Sequence, residues 1–232
     1  MRVGLLADIH GNSAALAATL AAASREGVER LLCAGDCVGY YYDPATCLEL
    51  LADWDVVCVR GNHEDLLAEL MRQPALADDL HRRYGSALAQ AASSLSSRHL
   101  AYLESLPARA ELVIDGRRIL VCHGSPWDPD LYVYPDAESS TFDRCAGYGA
   151  DVVVMGHTHY RLTMTAGTTT IVNPGSVGQP RDRRPGAAWA LLDTGTGACV
   201  AFSEAYDTAP LEAQARAIDP HLPYLHEVLR RQ

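Results

Sequence analysis

Asp8-Ile9-His10, Gly35-Asp36, Gly61-Asn62-His63-Glu64, His123-Gly124 and Gly156-His157-Thr158-His159 follow one another along the chain. Each stands where an apolar, β-branched run gives way to glycine or a polar residue. Together they offer carboxylate and amide oxygens and imidazole nitrogens, a donor set suited to borderline divalent metals such as Mn, Fe, Co, Ni or Zn. One such motif would carry little, because D-x-H arises by chance and a lone His is more often a surface or core residue than a ligand. Five in order, all at strand ends, supply enough donors for two ions. A two-metal site clamps the attacking and leaving oxygens of a phosphoryl group in line. The chemistry implied is metal-dependent cleavage of a phosphoester.

Donors this far apart in sequence need a scaffold that gathers strand ends. The first half of the chain alternates strand and helix. An apolar run from Arg2 to Ala7 is followed by an alanine-rich helix from about Asn12 to Glu26, with Leu16 and Leu20 four apart and Gly27 beyond its end. Arg30 to Ala34 is the next strand. Asp43-Pro44 opens a second helix as N-cap and first-turn residue, and Asp55 to Val59 is the third strand. This order implies right-handed parallel crossovers. Residues from about Glu64 to Leu106 read as helical, an insertion at about 64–107 beside the mouth of the site. Asp115-Gly116 turns a hairpin between Glu111–Ile114 and Arg117–Cys122. Asp151–Met155 reads as another buried strand, and Tyr160–Thr165, Thr168–Val172, Ala187–Asp193 and Cys199–Glu204 read as further, mostly antiparallel strands. Pro210–Arg231 reads as helix interrupted by Pro220 and Pro223. The expected class is α/β, a β-sandwich flanked by helices. Ligand sites in α/β sheets favour the carboxyl ends of strands, which places Asp8, Asp36, Asn62, His123 and His157 on one edge.

Composition narrows the partners. The 232 residues suit one large domain, and 48% apolar content is ample for a core. Mean hydropathy is −0.05, as in a soluble protein. The N-terminus turns acidic too soon for a signal peptide, and no apolar run approaches the ~20 residues of a membrane span. A cytoplasmic location without membrane contact is expected. Net charge is −10, with 29 acids against 19 bases, every base an arginine. That balance argues against broad nucleic-acid binding, which needs a basic face. Seven cysteines, an odd number without a C-x-x-C pair, read as reduced thiols, Cys33, Cys58 and Cys122 being core residues.

The five motifs resemble the pattern D-x-H, G-D, G-N-H-[DE], H and G-H-x-H of the calcineurin-like metallophosphoesterase superfamily. The resemblance extends over residues 2 to 206, roughly, and includes Gly35-Asp36-Cys37-Val38-Gly39-Tyr40, His123-Gly124-Ser125-Pro126 and the run from Asn173 to Arg181. It is nearest the small bacterial and archaeal phosphodiesterase-like branch. It implies a four-layer αββα sandwich with a helical insertion, and two divalent ions with Mn favoured among Mn, Fe, Zn, Ni and Co. One ion would be held by Asp8, His10, Asp36 and His159. The other would be held by Asp36, Asn62, His123 and His157, with Asp36 shared. A shared carboxylate offsets the repulsion between two cations, and a water between them would be acidified to the attacking hydroxide.

His63 resembles the family's non-ligand histidine, expected to protonate the leaving oxygen or stabilise charge on phosphorus, with Glu64 and Asp65 as residues that could orient it. Arg60, in Arg-Gly-Asn-His-Glu, resembles the arginine with which protein phosphatases hold substrate phosphate. Arg181 divides evenly between a substrate contact and a structural salt bridge. Asn173 and Ser176 read as a turn that could brace ligating histidines. Tyr40, Tyr41, Tyr42 and Trp127 are packing, dimer-contact or base-stacking residues. His81, His99, His221 and His226 read as surface residues. The expected activity is a phosphodiesterase acting on a small phosphoester or nucleotide, with room for a homo-oligomer. The alternatives are a phosphomonoesterase of protein-phosphatase type, or a non-catalytic scaffold such as the retromer subunit of this family.

Overall fold

The computed structural model describes residues 1–231. Its first half is the expected strand–helix alternation: β1 (Arg2–Leu6), α1 (Ser13–Arg25), β2 (Arg30–Cys33), α2 (Pro44–Ala52) and β3 (Val56–Cys58). The helices start where capping chemistry allows. The Asn12 side chain accepts from Ala15 N at 3.1 Å, and Asp43 accepts from Thr46 N at 3.4 Å with Pro44 in the first turn. Then come α3 (Asn62–Arg72), a short 3-10 turn (Pro74–Leu76), α4 (Ala77–Tyr84), α5 (Ala87–Ser94) and α6 (Ser97–Ser105). The second half holds β4 (Arg109–Ile114), β5 (Arg117–Cys122), α7 (Ser139–Ala146), β6 (Val152–Val154), β7 (Leu162–Ala166), β8 (Thr169–Asn173), β9 (Ala187–Asp193) and β10 (Cys199–Glu204). It ends in α8 (Ala209–Ile218), α9 (Tyr224–Glu227) and a 3-10 turn at Val228–Arg230.

The strands form two five-stranded mixed sheets, ordered β10-β9-β1-β2-β3 and β4-β5-β6-β8-β7. β1, β2 and β3 are parallel, as are β5, β6 and β8. Side-chain alternation along each strand decides the layering. Leu5 of β1, Leu32 of β2, Val121 of β5 and Val154 of β6 share one core between the sheets. Their neighbours Leu6, Leu31 and Cys33 face the other way, into a core with Leu16 and Leu20 of α1 and Leu48 of α2. On the far side Leu120, Val153 and Ile171 pack on Phe142 and Cys145 of α7. Helix, sheet, sheet and helix therefore stack in four layers around apolar contacts.

Two local expectations change. The helical stretch begins at Asn62, not Glu64, so two site residues lie in the first turn of α3. The stretch is helical as expected and divides into four helices, broken at Pro74, at Gly85 with φ +81° and at Leu95. Helix α7 carries no sequence signal beyond Phe142 and Cys145 three apart. Its eight residues, SSTFDRCA, are too few and too polar to show a periodic face. Among the described residues no helix is long and apolar enough to cross a membrane.

Candidate metal centre

Every motif leaves the carboxyl end of a strand on one edge of the sandwich. Asp8 and His10 follow β1, Asp36 follows β2, Asn62 opens α3 after β3, His123 directly follows β5, and His157 and His159 follow β6. The loops are laced together: Asp8 N donates to Gly35 O at 3.0 Å and His10 N to Asp36 O at 2.9 Å. Asp8, His10, Asp36, His157 and His159 all have left-handed backbones, with φ between 51° and 68°. Such conformations cost non-glycine residues about 1–3 kcal/mol each and persist where surrounding structure enforces them.

The histidine rings are oriented from outside. Nδ1–H of His10 donates to Val38 O at 3.0 Å, that of His123 to Ala34 O at 2.7 Å and that of His159 to Gln179 O at 2.6 Å. His157 is held the other way round, its Nε2 3.2 Å from Asp130 O. A carbonyl accepts only, so each outer nitrogen carries a proton, and each ring in its neutral form turns the lone pair of its inner nitrogen inward. The inner nitrogens converge in two pairs. His10 Nε2 and His159 Nε2 are 3.0 Å apart, and His123 Nε2 and His157 Nδ1 are 3.1 Å apart. Two neutral rings at that separation set lone pair against lone pair, which repel unless a proton or a metal cation lies between them.

The oxygen donors divide in the same way. Asp8 Oδ1 is 3.8 Å from His159 Nε2, and its Oδ2 is buried without a hydrogen-bond partner among the described residues. Asn62 Oδ1 is 3.0 Å from His123 Nε2. Asp36 Oδ2 stands between the pairs, 3.6 Å from His10 Nε2 and 3.4 Å from His123 Nε2. Its Oδ1 accepts the main-chain N–H of His63 at 2.8 Å. An orphaned buried carboxylate oxygen, two facing pairs of ring nitrogens and a carboxylate between them fit divalent cations.

Electrostatics in the ion-free protein point the same way. Burial, reinforced by Asp36, pushes the Asp8 carboxyl up to about 8 against the pull of His123. Burial alone would lower His123, but Asp36, Asp8 and the Ala34 carbonyl outweigh it and raise the ring to about 10. Burial keeps His10 and His159 well below the ordinary histidine value, and lowers His157 to about 4. Protons on Asp8 and His123 thus supply part of the positive charge the donors demand.

His63 is buried beside this cluster. Its ring meets His10 at 4.7 Å, Tyr40 at 4.7 Å and Tyr84 at 5.1 Å, and its Nδ1 is buried without a partner among the described residues. Desolvation lowers it to about 4 against the attraction of Asp36. Gly39 makes room for it: a Cβ at Gly39 would meet His63 Nδ1 at 2.0 Å.

Several neighbours differ from the sequence reading. Arg60 pairs with Asp65 at 2.9 Å and lines a cavity of about 410 Å³ with Met71 and Leu103. Asp65 is therefore engaged by Arg60, and Glu64 by main-chain N–H groups, so neither orients His63. The arginine drawn to the cluster is Arg181. It is largely buried and hydrogen-bonded to Gln179 Oε1 at 2.8 Å and Tyr40 Oη at 3.0 Å. The neighbouring carboxylate, Asp182, is taken by Arg161, and among the described residues no carboxylate lies in contact with Arg181. Asn173 and Ser176 brace the main chain at Gly156 and Asp8, at 2.6 and 2.7 Å, and it is Gln179 whose carbonyl touches a ring of the cluster, that of His159. Tyr40 packs on His10, Tyr41 is buried with its hydroxyl on Leu225 O, and Tyr42 donates to Asp219. Trp127 stacks near Tyr148 and Arg144, whereas Tyr132 lies over His157 with ring centroids 3.9 Å apart.

Comparison with known proteins places this geometry. The profile of the calcineurin-like phosphoesterase superfamily domain matches residues 1–197. The uncharacterized protein MJ0912 of Methanocaldococcus jannaschii is 30% identical over 209 residues, 82% of each chain. The crystal structure of hypothetical protein PH1004 from Pyrococcus horikoshii superposes with a TM-score of 0.87 at 26% identity, covering 99% of this chain and 98% of that one. A metallophosphoesterase from Sphaerobacter thermophilus superposes with a TM-score of 0.81 at 28% identity, covering 98% and 99%.

Proposed function

The chain belongs to the calcineurin-like phosphoesterase superfamily, and from that premise we propose that it is a phosphodiesterase dependent on two divalent metal ions. Asp8, His10, Asp36 and His159 would hold one ion, and Asp36, Asn62, His123 and His157 the other. The observation that carries the reading is the pairing of inward ring nitrogens, His10 with His159 and His123 with His157, on either side of Asp36 Oδ2. When bound, ions of this kind screen the phosphoryl charge and activate water as a nucleophile. Mn is the favoured occupant, with Fe, Zn, Ni and Co sharing the donor preference.

The chain's own groups then act on the substrate. Arg181, a largely buried guanidinium with no carboxylate in contact among the described residues, would hold a phosphoryl oxygen and offset the charge that builds there. This role passes to it from Arg60, which Asp65 occupies. His63, neutral when no substrate is near, has a ring nitrogen free to share. The negative charge of a bound phosphoryl group favours its protonated form, from which it would give a proton to the leaving oxygen. Tyr132 and Tyr40 would line the approach, and a small phosphoester or a nucleotide fits such a rim.

The test is an activity panel on metal-reconstituted protein with p-nitrophenyl phosphate, bis-p-nitrophenyl phosphate, cyclic nucleotides and dinucleotides. Higher kcat/KM on the bis ester than on the monoester, under the same metal, is expected. The reverse ranking overturns the diesterase assignment, and inactivity on every substrate with two ions bound overturns the enzymatic one.

A further inference from the structure

A second group of metal-ligand side chains lies away from the centre. His81 sits on α4, Asp219 at the carboxyl end of α8 and His221 two residues beyond. Each offers a donor atom within 4.8 Å of the other two. The Asp219 carboxylate is fully buried, while both histidines are exposed.

The charge on Asp219 is poorly balanced. Its hydrogen-bond donors are neutral: Tyr42 Oη at 2.8 Å, Ser86 Oγ at 3.0 Å and Ser86 N at 3.0 Å. The cationic group nearest it is His81, with Nδ1 3.8 Å from Oδ1, which is charged only when protonated. A buried carboxylate is costly unless a positive charge meets it. The fold nevertheless brings the chain tightly around this one. A Cβ at Gly85, the turn between α4 and α5, would meet Asp219 Oδ2 at 2.8 Å.

The histidines are arranged to supply that charge through an ion. Their rings lie 4.4 Å apart, tilted by 30°. His221 Nε2 is 3.2 Å from the His81 carbonyl. That contact places the proton on Nε2 and leaves the Nδ1 lone pair free, the arrangement by which a backbone carbonyl fixes a ligating imidazole. Ligand bonds to zinc are about 2.0–2.2 Å, so small rotations of two exposed rings would close the set over the carboxylate. The exposed side gives an ion its entry and a water its fourth position.

We propose that His81, Asp219 and His221 form a separate mononuclear site for a zinc-class divalent ion. The ion fastens the C-terminal segment to the helices that follow the Asn62 motif. The site is independent of the phosphoesterase reading, since it shares no residue with the centre. It borders the centre through Asp219 and Tyr42, two residues from the Tyr40 ring that packs on His10 and His63, and through Tyr84 of α4, whose ring meets His63.

The experiment titrates Zn(II) into intact protein against a chromophoric chelator. It compares the native chain with His81→Ala, His221→Ala and His221→Cys, and follows Tm with and without Zn(II). The alanine variants should each lose one zinc equivalent, or bind it ~10-fold or more weakly, because ligands matter at least as much as the groups that orient them. They should also lose the matching part of the zinc-dependent rise in Tm, while His221→Cys keeps both. Phosphoesterase activity should survive in all three, so failure here and failure of the enzymatic reading are told apart. Unchanged zinc binding and Tm response in both alanine variants would overturn the site.

Discussion

Glu64 Oε2 accepts the main-chain N–H of Asp36 at 3.0 Å. The same carboxylate takes the N–H groups of Cys37 at 2.8 Å, Val38 at 3.2 Å and Gly61 at 2.8 Å. One buried side chain therefore ties the loop after β2 to the start of α3 and sets Asp36 against Asn62. The bond to Gly61 is half of a capping box, with the glutamate three residues into the turn. Burial, with Asp36 nearby, pushes Glu64 up to about 7 against these donors.

Glu64→Gln should weaken the fold and the centre together. A carboxylate offers only acceptors, whereas an amide turns N–H toward main-chain N–H groups that have no other partner. Leaving such groups unsatisfied costs about 1–3 kcal/mol. Denaturant unfolding of the ion-free protein should show a loss of that order, and metal content after desalting should fall. Native stability with full metal retention would contradict this bracing role.

Asp36→Asn should cost both ions, since Asp36 Oδ2 faces both pairs of ring nitrogens. His159→Ala should chiefly weaken the ion shared with His10, and His157→Ala the one shared with His123. Elemental analysis decides. Two ions retained in Asp36→Asn would rule out the bridging assignment.

The order of the motifs was legible because α/β sheets put ligands at strand ends, and strands announce themselves as apolar runs before Asp8, Asp36, His123 and His157. What orients those residues was not. The carbonyls of Val38, Ala34 and Gln179 that set three of the rings are main-chain groups, which every residue type carries alike. The left-handed backbones at Asp8, His10 and Asp36 leave no mark on residue type, because tertiary contacts enforce them. Arg60 drew attention by its place next to Gly61-Asn62-His63, but its side chain turns to Asp65. Arg181 enters the site from a loop more than a hundred residues further along the chain, a closeness that only the fold creates.

Metal loading should tighten as pH rises. In the ion-free protein Asp8 sits at about 8 and His123 at about 10, so both are protonated at neutral pH. An ion must displace both protons. Lower pH strengthens that competition and higher pH removes it, first through the Asp8 value and then through that of His123. Each displaced proton contributes about tenfold in apparent affinity per pH unit below its pKa. Calorimetry in buffers of different ionisation enthalpy should show net proton release on Mn binding at pH 7. Binding without release, and with no pH dependence between 6 and 8, would contradict the proposed ligands.

Arg181→Gln should lower kcat/KM on phosphodiesters by ~10²-fold, the scale of removing one donor to developing charge. Arg60→Gln should change it by no more than ~3-fold, because exposed ion pairs contribute little. Both variants should keep their metals. A larger loss in Arg60→Gln than in Arg181→Gln would return the phosphate-binding role to Arg60.

His63 should matter most where the leaving group is poor. A general acid typically contributes ~10²–10⁴-fold, because it neutralises charge building on the departing oxygen. A ribose alkoxide needs that proton, whereas p-nitrophenolate leaves readily as the anion. Burial lowers the His63 ring to about 4 against the attraction of Asp36, and its Nδ1 has no partner among the described residues, so the charge of a bound phosphoryl group would have to bring in the proton that the ring then gives up. His63→Ala should therefore lose far more rate on a nucleotide diester than on a nitrophenyl diester, with both metals still bound. Equal losses on the two substrates would make His63 a stabiliser of phosphoryl charge rather than a proton donor. No loss on either would mean that another group protonates the leaving oxygen and that the His63 ring only fills the space Gly39 leaves open.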